Sequence, residues 1–216
     1  MFHVDDVQPL ANRPRRALRI LFSHELLDAT WSVFEGGERG AEPHFHREHV
    51  DAFYVVDGEL TFRVGPALTP VQAGPGTFVL VPPGVIHAFD NDSDSVARWL
   101  NFHSPSTGFA DYLRGARDGF DSFDPPEDGG LDSALVTVAT ASPFGAHPLL
   151  SAVALDAGTE PISRADGVNA FFVLEGEAAF TLGERSLTGG PGTWMAAAPG
   201  EVHAVGGRAS VLNVRA

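Results

Sequence analysis

A ten-residue segment occurs twice in this 216-residue chain: FYVVDGELTF at 53–62 and FFVLEGEAAF at 171–180, with Phe, Val, Gly, Glu and Phe identical and no gap. A second pair follows in the same order, GPGTFVLVPPGVIHAF at 74–89 and GPGTWMAAAPGEVHAV at 190–205, keeping Gly-Pro-Gly-Thr, Pro-Gly and His-Ala. The offset is 118 residues in the first pair and 116 in the second, so the second copy carries a hairpin shorter by two residues. Two copies in one order imply one structural plan used twice.

The plan is a β one. Short runs such as ALRILFS, DAFYVV, ELTFRV, GTFVLVP and ARWLNFH are of strand length, rich in Val, Phe and Trp, and bounded by turn residues drawn from 24 Gly and 16 Pro. Helix signals are scarce. The best is STGFADYLRGA at 106–116, where Ser106 or Thr107 is placed to cap a short helix with Phe109, Leu113 and Tyr112 facing inward. The next stretch, RDGFDSFDPPEDGGLDS at 117–133, clusters Asp, Pro and Gly without periodicity and reads as an acidic linker. The expected organisation is an N-terminal β domain at 15–116, a linker at 117–133 and a second β domain at 134–216.

Charge narrows the partners. A formal net charge of -14 argues against nucleic acid or an anionic membrane, since phosphate binding needs surplus Lys and Arg. Only NRPRRALR at 12–19 is locally basic, and it reads as a solvated arm. The absence of Cys excludes disulfides and thiolate metal sites and fits a reducing compartment. No run approaches the roughly 18 apolar residues of a membrane span, and the first residues lack the apolar core of a secretory signal. The expectation is a cytoplasmic protein.

The chemistry concentrates at EPHFHREHVD, residues 42–51, with three His and three acids. His44 and His46 are two apart, so a strand presents both to one side, about 6–7 Å apart along the chain. The step from His46 to Asp51 is odd, so a turn at Arg47–Val50 is needed to bring Asp51 back to that side. Glu48 and His49 fall in that turn and read as exposed loop residues. Downstream, Gly76-x5-Pro82-x-Gly84-x2-His87-x3-Asn91 supplies a third histidine after a tight Pro-Pro-Gly turn.

These residues resemble the cupin superfamily, whose motifs are G-x5-HxH-x3,4-E-x6-G and G-x5-PxG-x2-H-x3-N. The second motif is matched throughout. In the first, Gly stands at 37 or 40 rather than 38, and Asp51 replaces Glu. The segment SPSTGFADYLRG at 104–115 is similar to the tail of two-domain cupins grouped with quercetinase-like dioxygenases. The resemblance implies two cupin-type β-barrels, and a metal held by His44, His46, Asp51 and His87 with one or two coordination positions open. Neutral imidazoles with a carboxylate suit one divalent Fe, Mn, Co, Ni, Cu or Zn ion.

In the second copy Ile162, Arg164 and Asn169 stand for His44, His46 and Asp51, while His203 stands for His87. Arg is not a metal ligand at ordinary pH, so this copy is expected to be metal-free. His203 then reads as a hydrogen-bonded interior or rim histidine; the other reading is that Arg164, Asn169 and His203 line a pocket for a small anion. By parity Phe53, Val55 and Phe89 should share the interior with the ligands, with Phe62, Phe78 or Leu80 joining them. Two functions remain open: a dioxygenase-like metalloenzyme acting on a small aromatic or enol-type substrate, and a non-catalytic protein that binds or senses a small molecule. The resemblance also implies a homodimer.

Overall fold

The structure, a computed structural model, describes residues 1–13, 15–127, 129–156 and 166–216. The chain forms two compact units, residues 9–141 and residues 142–216 with 1–8. Strand β1 (Phe2–His3) belongs to the second unit. The first holds β2 (Ala11–Arg13), β3 (Arg16–His24), β4 (Leu27–Phe34), β5 (Val50–Asp57), β6 (Leu60–Val64), β7 (Thr69–Ala73), β8 (Phe78–Val81), β9 (His87–Asp90), β10 (Ala97–Ser104), helix α1 (Phe109–Leu113) and β11 (Thr137–Ala139). The second continues with β12 (Gly145–His147), β13 (Leu150–Asp156), β14 (Asn169–Leu182), β15 (Arg185–Gly189), β16 (Thr193–Ala197) and β17 (His203–Arg215).

The all-β expectation holds, and the repeat is visible as topology. The large sheet of the first unit runs β11-β8-β5-β10-β4-β3-β2, and that of the second runs β1-β16-β14-β17-β13-β12. In register, Asp51, Phe53 and Val55 face His103, Asn101 and Trp99; Asn169, Phe171 and Val173 face Arg215, Asn213 and Val211. Among the described residues the sheets are open rather than closed barrels. In the first unit β7-β6-β9 form a separate three-stranded sheet; in the second the long β14 and β17 run through without a break, with β15 paired to β14. Gly58, between β5 and β6, and Gly176, at the equivalent place within the continuous β14, have φ of 74° and 76°. A Cβ there would strike the carbonyl oxygen of Val96 or Arg208, so both positions need glycine for conformation and for space.

In the first unit Phe53, Val55, Phe62, Val79, Val81 and Trp99 pack in one buried cluster, with Phe89 against it. Phe62 therefore joins the expected interior. Phe78 and Leu80 do not: they are buried on the other face of β8, because Val79 and Val81 take the inner one. Phe171, Val173, Phe180 and Met195 form the equivalent cluster in the second unit.

The 117–133 stretch, expected to be a linker, lies within the first unit. Phe45 and Phe123 exchange backbone hydrogen bonds of 3.0 Å, and Leu131 N donates to Gly84 O at 3.1 Å. Phe120 and Phe123, set among aspartates, are half-buried, so a composition that reads as solvated still supplies apolar contacts. Helix α1 is shorter than expected and is not capped by Ser106 or Thr107. Gly108 occupies the cap with φ 86°, and the buried Asp28 of β4 accepts from Ala110 N at 2.9 Å and Ser106 Oγ at 2.6 Å. That carboxylate is distant in sequence, which is why local reading missed it.

Candidate metal centre

The turn at Arg47–Val50 is built as the parity argument requires. Its backbone N–H groups point at one carboxylate: Asp121 accepts from Arg47 N at 3.0 and 3.1 Å and from Glu48 N at 2.7 Å. These donors outweigh burial and hold the Asp121 carboxyl below the usual range. Gly84, at φ 86°, donates its N–H to His46 O at 2.7 Å and so ties the Pro-Pro-Gly turn to the first histidine segment. His44 and His87 exchange backbone bonds of 3.0 and 2.8 Å. The motif's Asn91 is buried and braces its own turn, donating to Phe34 O, Glu35 O and Ser95 O.

This scaffold brings all four expected residues together: one ligand-type atom from each of His44, His46, Asp51 and His87 lies within 4.8 Å of the others. Each imidazole is oriented by its Nδ1. His44 Nδ1 bonds Glu42 O at 2.8 Å, His46 Nδ1 bonds Asp121 O, and His87 Nδ1 bonds Val85 O at 3.2 Å. A backbone carbonyl only accepts, so each Nδ1 carries the proton and each Nε2 presents a lone pair.

Those lone pairs meet a carboxylate. Asp51 Oδ2 lies 3.2 Å from His87 Nε2 and 3.7 Å from His46 Nε2, and His46 Nε2 is buried without a hydrogen-bond partner among the described residues. A set of acceptors converging on acceptors is unfavourable in a buried site unless a cation lies between them. A proton on one imidazole would relieve one contact; a divalent ion would relieve all four. Ligands of a tetrahedral ion bound at about 2.0–2.2 Å lie about 3.3–3.6 Å apart, and the two Asp51 Oδ2 contacts of 3.2 and 3.7 Å are of that size. The residues present fit a borderline or hard divalent transition metal.

The electrostatics agree. Burial, with His87 and His46 adding to it, pushes His44 down to about 3, so it is neutral and able to coordinate near pH 7. Burial opposes charge on Asp51, yet the surrounding imidazoles, His103 foremost, hold its carboxyl well below the usual range by whatever proton they present to it, the role that a cation would take where their lone pairs face it. Asp51 does reach the histidines despite being one methylene shorter than Glu. Its Oδ1 is held by Asn101 Nδ2 at 2.5 Å and lies 3.3 Å from His103 Nε2.

Asn101 and His103 were not anticipated. The available signal was alternation in ARWLNFH, where Trp99, Asn101 and His103 share the inner face of β10, and polar residues on a core face demand a reason. His49 also differs from expectation. It is fully buried, its Nδ1 bonds Asp121 Oδ2 at 2.9 Å, and its ring stacks on His46 at 3.9 Å. Burial, then the neighbouring His46, lowers it to about 4. Glu48 is exposed as expected. His46, His49 and Asp121 form a second close group, but His49 Nδ1 and the Asp121 carboxylate are already engaged with each other and with backbone N–H groups.

A cavity of about 610 Å³ reaches the cluster at His44, the one of the four residues in its wall, beside Phe34, Phe89, Phe109, Tyr112 and Phe120. Such a volume and lining suit a small, partly apolar organic molecule.

The equivalent residues of the second unit make a closed circuit. Asn169 Nδ2 donates to His203 Nε2 at 2.9 Å, His203 Nδ1 bonds Glu201 O at 2.9 Å, and Asn213 Nδ2 donates to Asn169 Oδ1 at 2.7 Å. His203 is thus a buried, hydrogen-bonded interior histidine. Ile162 and Arg164 lie outside the described residues.

Residues 30–103 match the family model of the cupin domain. That span includes all four clustered residues. No curated protein matches the chain significantly. Among solved structures, the chain is similar to the Ylba protein of E. coli, with a TM-score of 0.71 and 12% identity over 99% of this chain and 88% of that one. It is similar to oxalate decarboxylase of Bacillus subtilis at pH 4.6 (TM-score 0.63, 11% identity, 99% of this chain and 75% of that one). It is likewise similar to AerE from Microcystis aeruginosa (TM-score 0.63, 13% identity, 99% and 97%). At these identities the likeness establishes a cupin fold and not an activity. Among the described residues no helix is long and apolar enough to cross a membrane.

Proposed function

We propose that the first unit is a metal-dependent oxidoreductase of the dioxygenase type, acting on a small aromatic or enol-type substrate, and that the second is a cupin domain that has lost its metal ligands. The observation that carries this reading is the convergence of three Nδ1-anchored histidines and Asp51 at a cavity lined with aromatic rings. His44, His46, Asp51 and His87 would hold one divalent transition ion, which when bound supplies Lewis acidity and, for a redox-active metal, electron transfer with dioxygen.

The chain's own residues do the rest. Glu42, Asp121 and Val85 carbonyls fix the imidazole orientations. Asn101 and His103 hold Asp51, and Phe89, Phe109 and Phe120 exclude water and orient a planar substrate.

The test is metal analysis of the purified protein followed by oxygen-uptake measurements with a panel of enols and phenols. One equivalent of iron, manganese, nickel, copper or cobalt, with oxygen consumption that disappears in His44→Ala plus His87→Ala, is the expected result. Metal content unchanged in that double variant would remove the site assignment. Stoichiometric metal and ligand binding without turnover would leave a binding or sensing protein in place of an enzyme.

A further inference from the structure

The basic stretch near the N-terminus does not end as a solvated arm. Arg16 opens β3, pairs across the strands with Phe34 of β4, and its guanidinium lies 5.6 Å from the Phe34 ring centre. Both residues line the cavity that contains His44. Apart from the histidine, Arg16 is the sole basic side chain among the described lining residues, the others being mainly Phe, Leu and Tyr.

Its present contacts are loose. Nε lies 3.4 Å from Glu38 Oε1, and a terminal nitrogen lies 3.5 Å from Arg39 O, whereas a carboxylate engaged by both arms of a guanidinium sits at about 2.7–2.9 Å. Only 28% of the side chain is exposed, so the charge is held at a partly dry wall, where a matching anion gains more than in bulk water. The other charged lining groups, Glu42 and Asp124, are exposed; they oppose a second negative charge on the ligand.

Resting on the metal-site reading above, we propose that the cavity selects small planar monocarboxylates: the carboxylate on Arg16, the conjugated or aromatic body against Phe34, Phe89, Phe109 and Phe120, and the reacting end toward His44. Arg16 is then the residue that determines specificity, and Glu38 is the internal carboxylate that the ligand must outcompete.

The experiment is titration calorimetry on the full chain with benzoate, cinnamate and phenylpyruvate, each beside its uncharged primary amide, with metal content measured on the same samples. At least one anion should bind about tenfold or more tightly than its amide, the scale of one charge-assisted interaction. Arg16→Gln should abolish that preference by weakening the anion far more than the amide, with metal content unchanged, and Arg16→Lys should restore part of it. Glu38→Gln should widen the preference several-fold, and decides the matter if Arg16→Gln does not fold. Equal binding of every anion and its amide, no binding of any, or an equal loss for both in Arg16→Gln overturns the proposal. Anion preference in a protein devoid of metal would sustain this proposal and sink the metal reading; normal metal content without anion preference would do the reverse.

Discussion

The two units carry the same buried circuit with one atom changed. In the first, Asn101 Nδ2 holds Asp51 Oδ1 and Asp51 Oδ2 faces His87 Nε2 at 3.2 Å. In the second, Asn213 Nδ2 holds Asn169 Oδ1 and Asn169 Nδ2 faces His203 Nε2 at 2.9 Å. Asn101 and Asn213 also each donate to a backbone carbonyl, of Ala52 or Ala170, at 3.1 and 3.0 Å. Where the second unit places an amide donor against the imidazole lone pair, the first places an acceptor. A donor closes the circuit, while an acceptor leaves it needing a cation. At this position hydrogen-bond polarity thus separates a group that could hold a cation from a closed circuit, in addition to the loss of counterparts to His44 and His46 from the second copy.

The largest expected effect comes from rewriting the first circuit in the second's residues. His44→Ile with Asp51→Asn should reduce bound metal to background by elemental analysis, whereas His203→Ala should leave it unchanged. Equal metal loss from both changes would break the contrast between the units.

The two cores should respond alike. Phe53→Ala and Phe171→Ala each remove a buried ring from a cluster of the same plan, and each should cost about 3–5 kcal/mol in denaturant unfolding. The metal should protect only against the first if the units unfold separately.

Asn101→Ala should weaken metal affinity by about 10–100-fold, the usual scale for a group that orients a ligand. Asn213→Ala should not change it. Competition with a chelator measures both.

The smallest effect is on pH dependence. His44 sits at about 3 in the fold against 6.5 when free, so on acidification the unfolded chain takes up its proton first. Stability of the metal-free protein should therefore be complete above about pH 6.5 and fall as pH drops toward 3. Asp51, held below 3.8, adds a loss of the same sign under more acidic conditions. Melting temperatures at pH 7.5, 6 and 4.5 test this, and a flat profile would contradict the neutral, buried state of His44. His44→Ile should shallow the slope.

Much of this was legible in the chain itself. The turn between His46 and Asp51 follows from period-2 alternation, the replacement of Asp51 by Asn169 and the retention of His203 follow from the repeat, and the set of His44, His46, Asp51 and His87 from the resemblance to the cupin motifs. Residues that act across the fold were not legible in the same way. Asp28 accepts from the first turn of α1 and Asp121 gathers the turn at Arg47–His49, yet each lies more than 70 residues from the groups it binds, and an isolated Asp, whether in a strand or a loop, has no local signature. His49 read as exposed because the turn around it is polar, whereas its ring is covered by His46 and His103.

The sequence by itself determined the strands and the duplication, because alternation and turn chemistry act within a few residues, and its resemblance to the cupin motifs implied the four convergent residues. Only the tertiary structure decided which nitrogen of each histidine faces Asp51, that a supposed linker supplies Asp121, and that Arg16 lines the cavity, because those outcomes depend on backbone groups and strands brought together from distant parts of the chain.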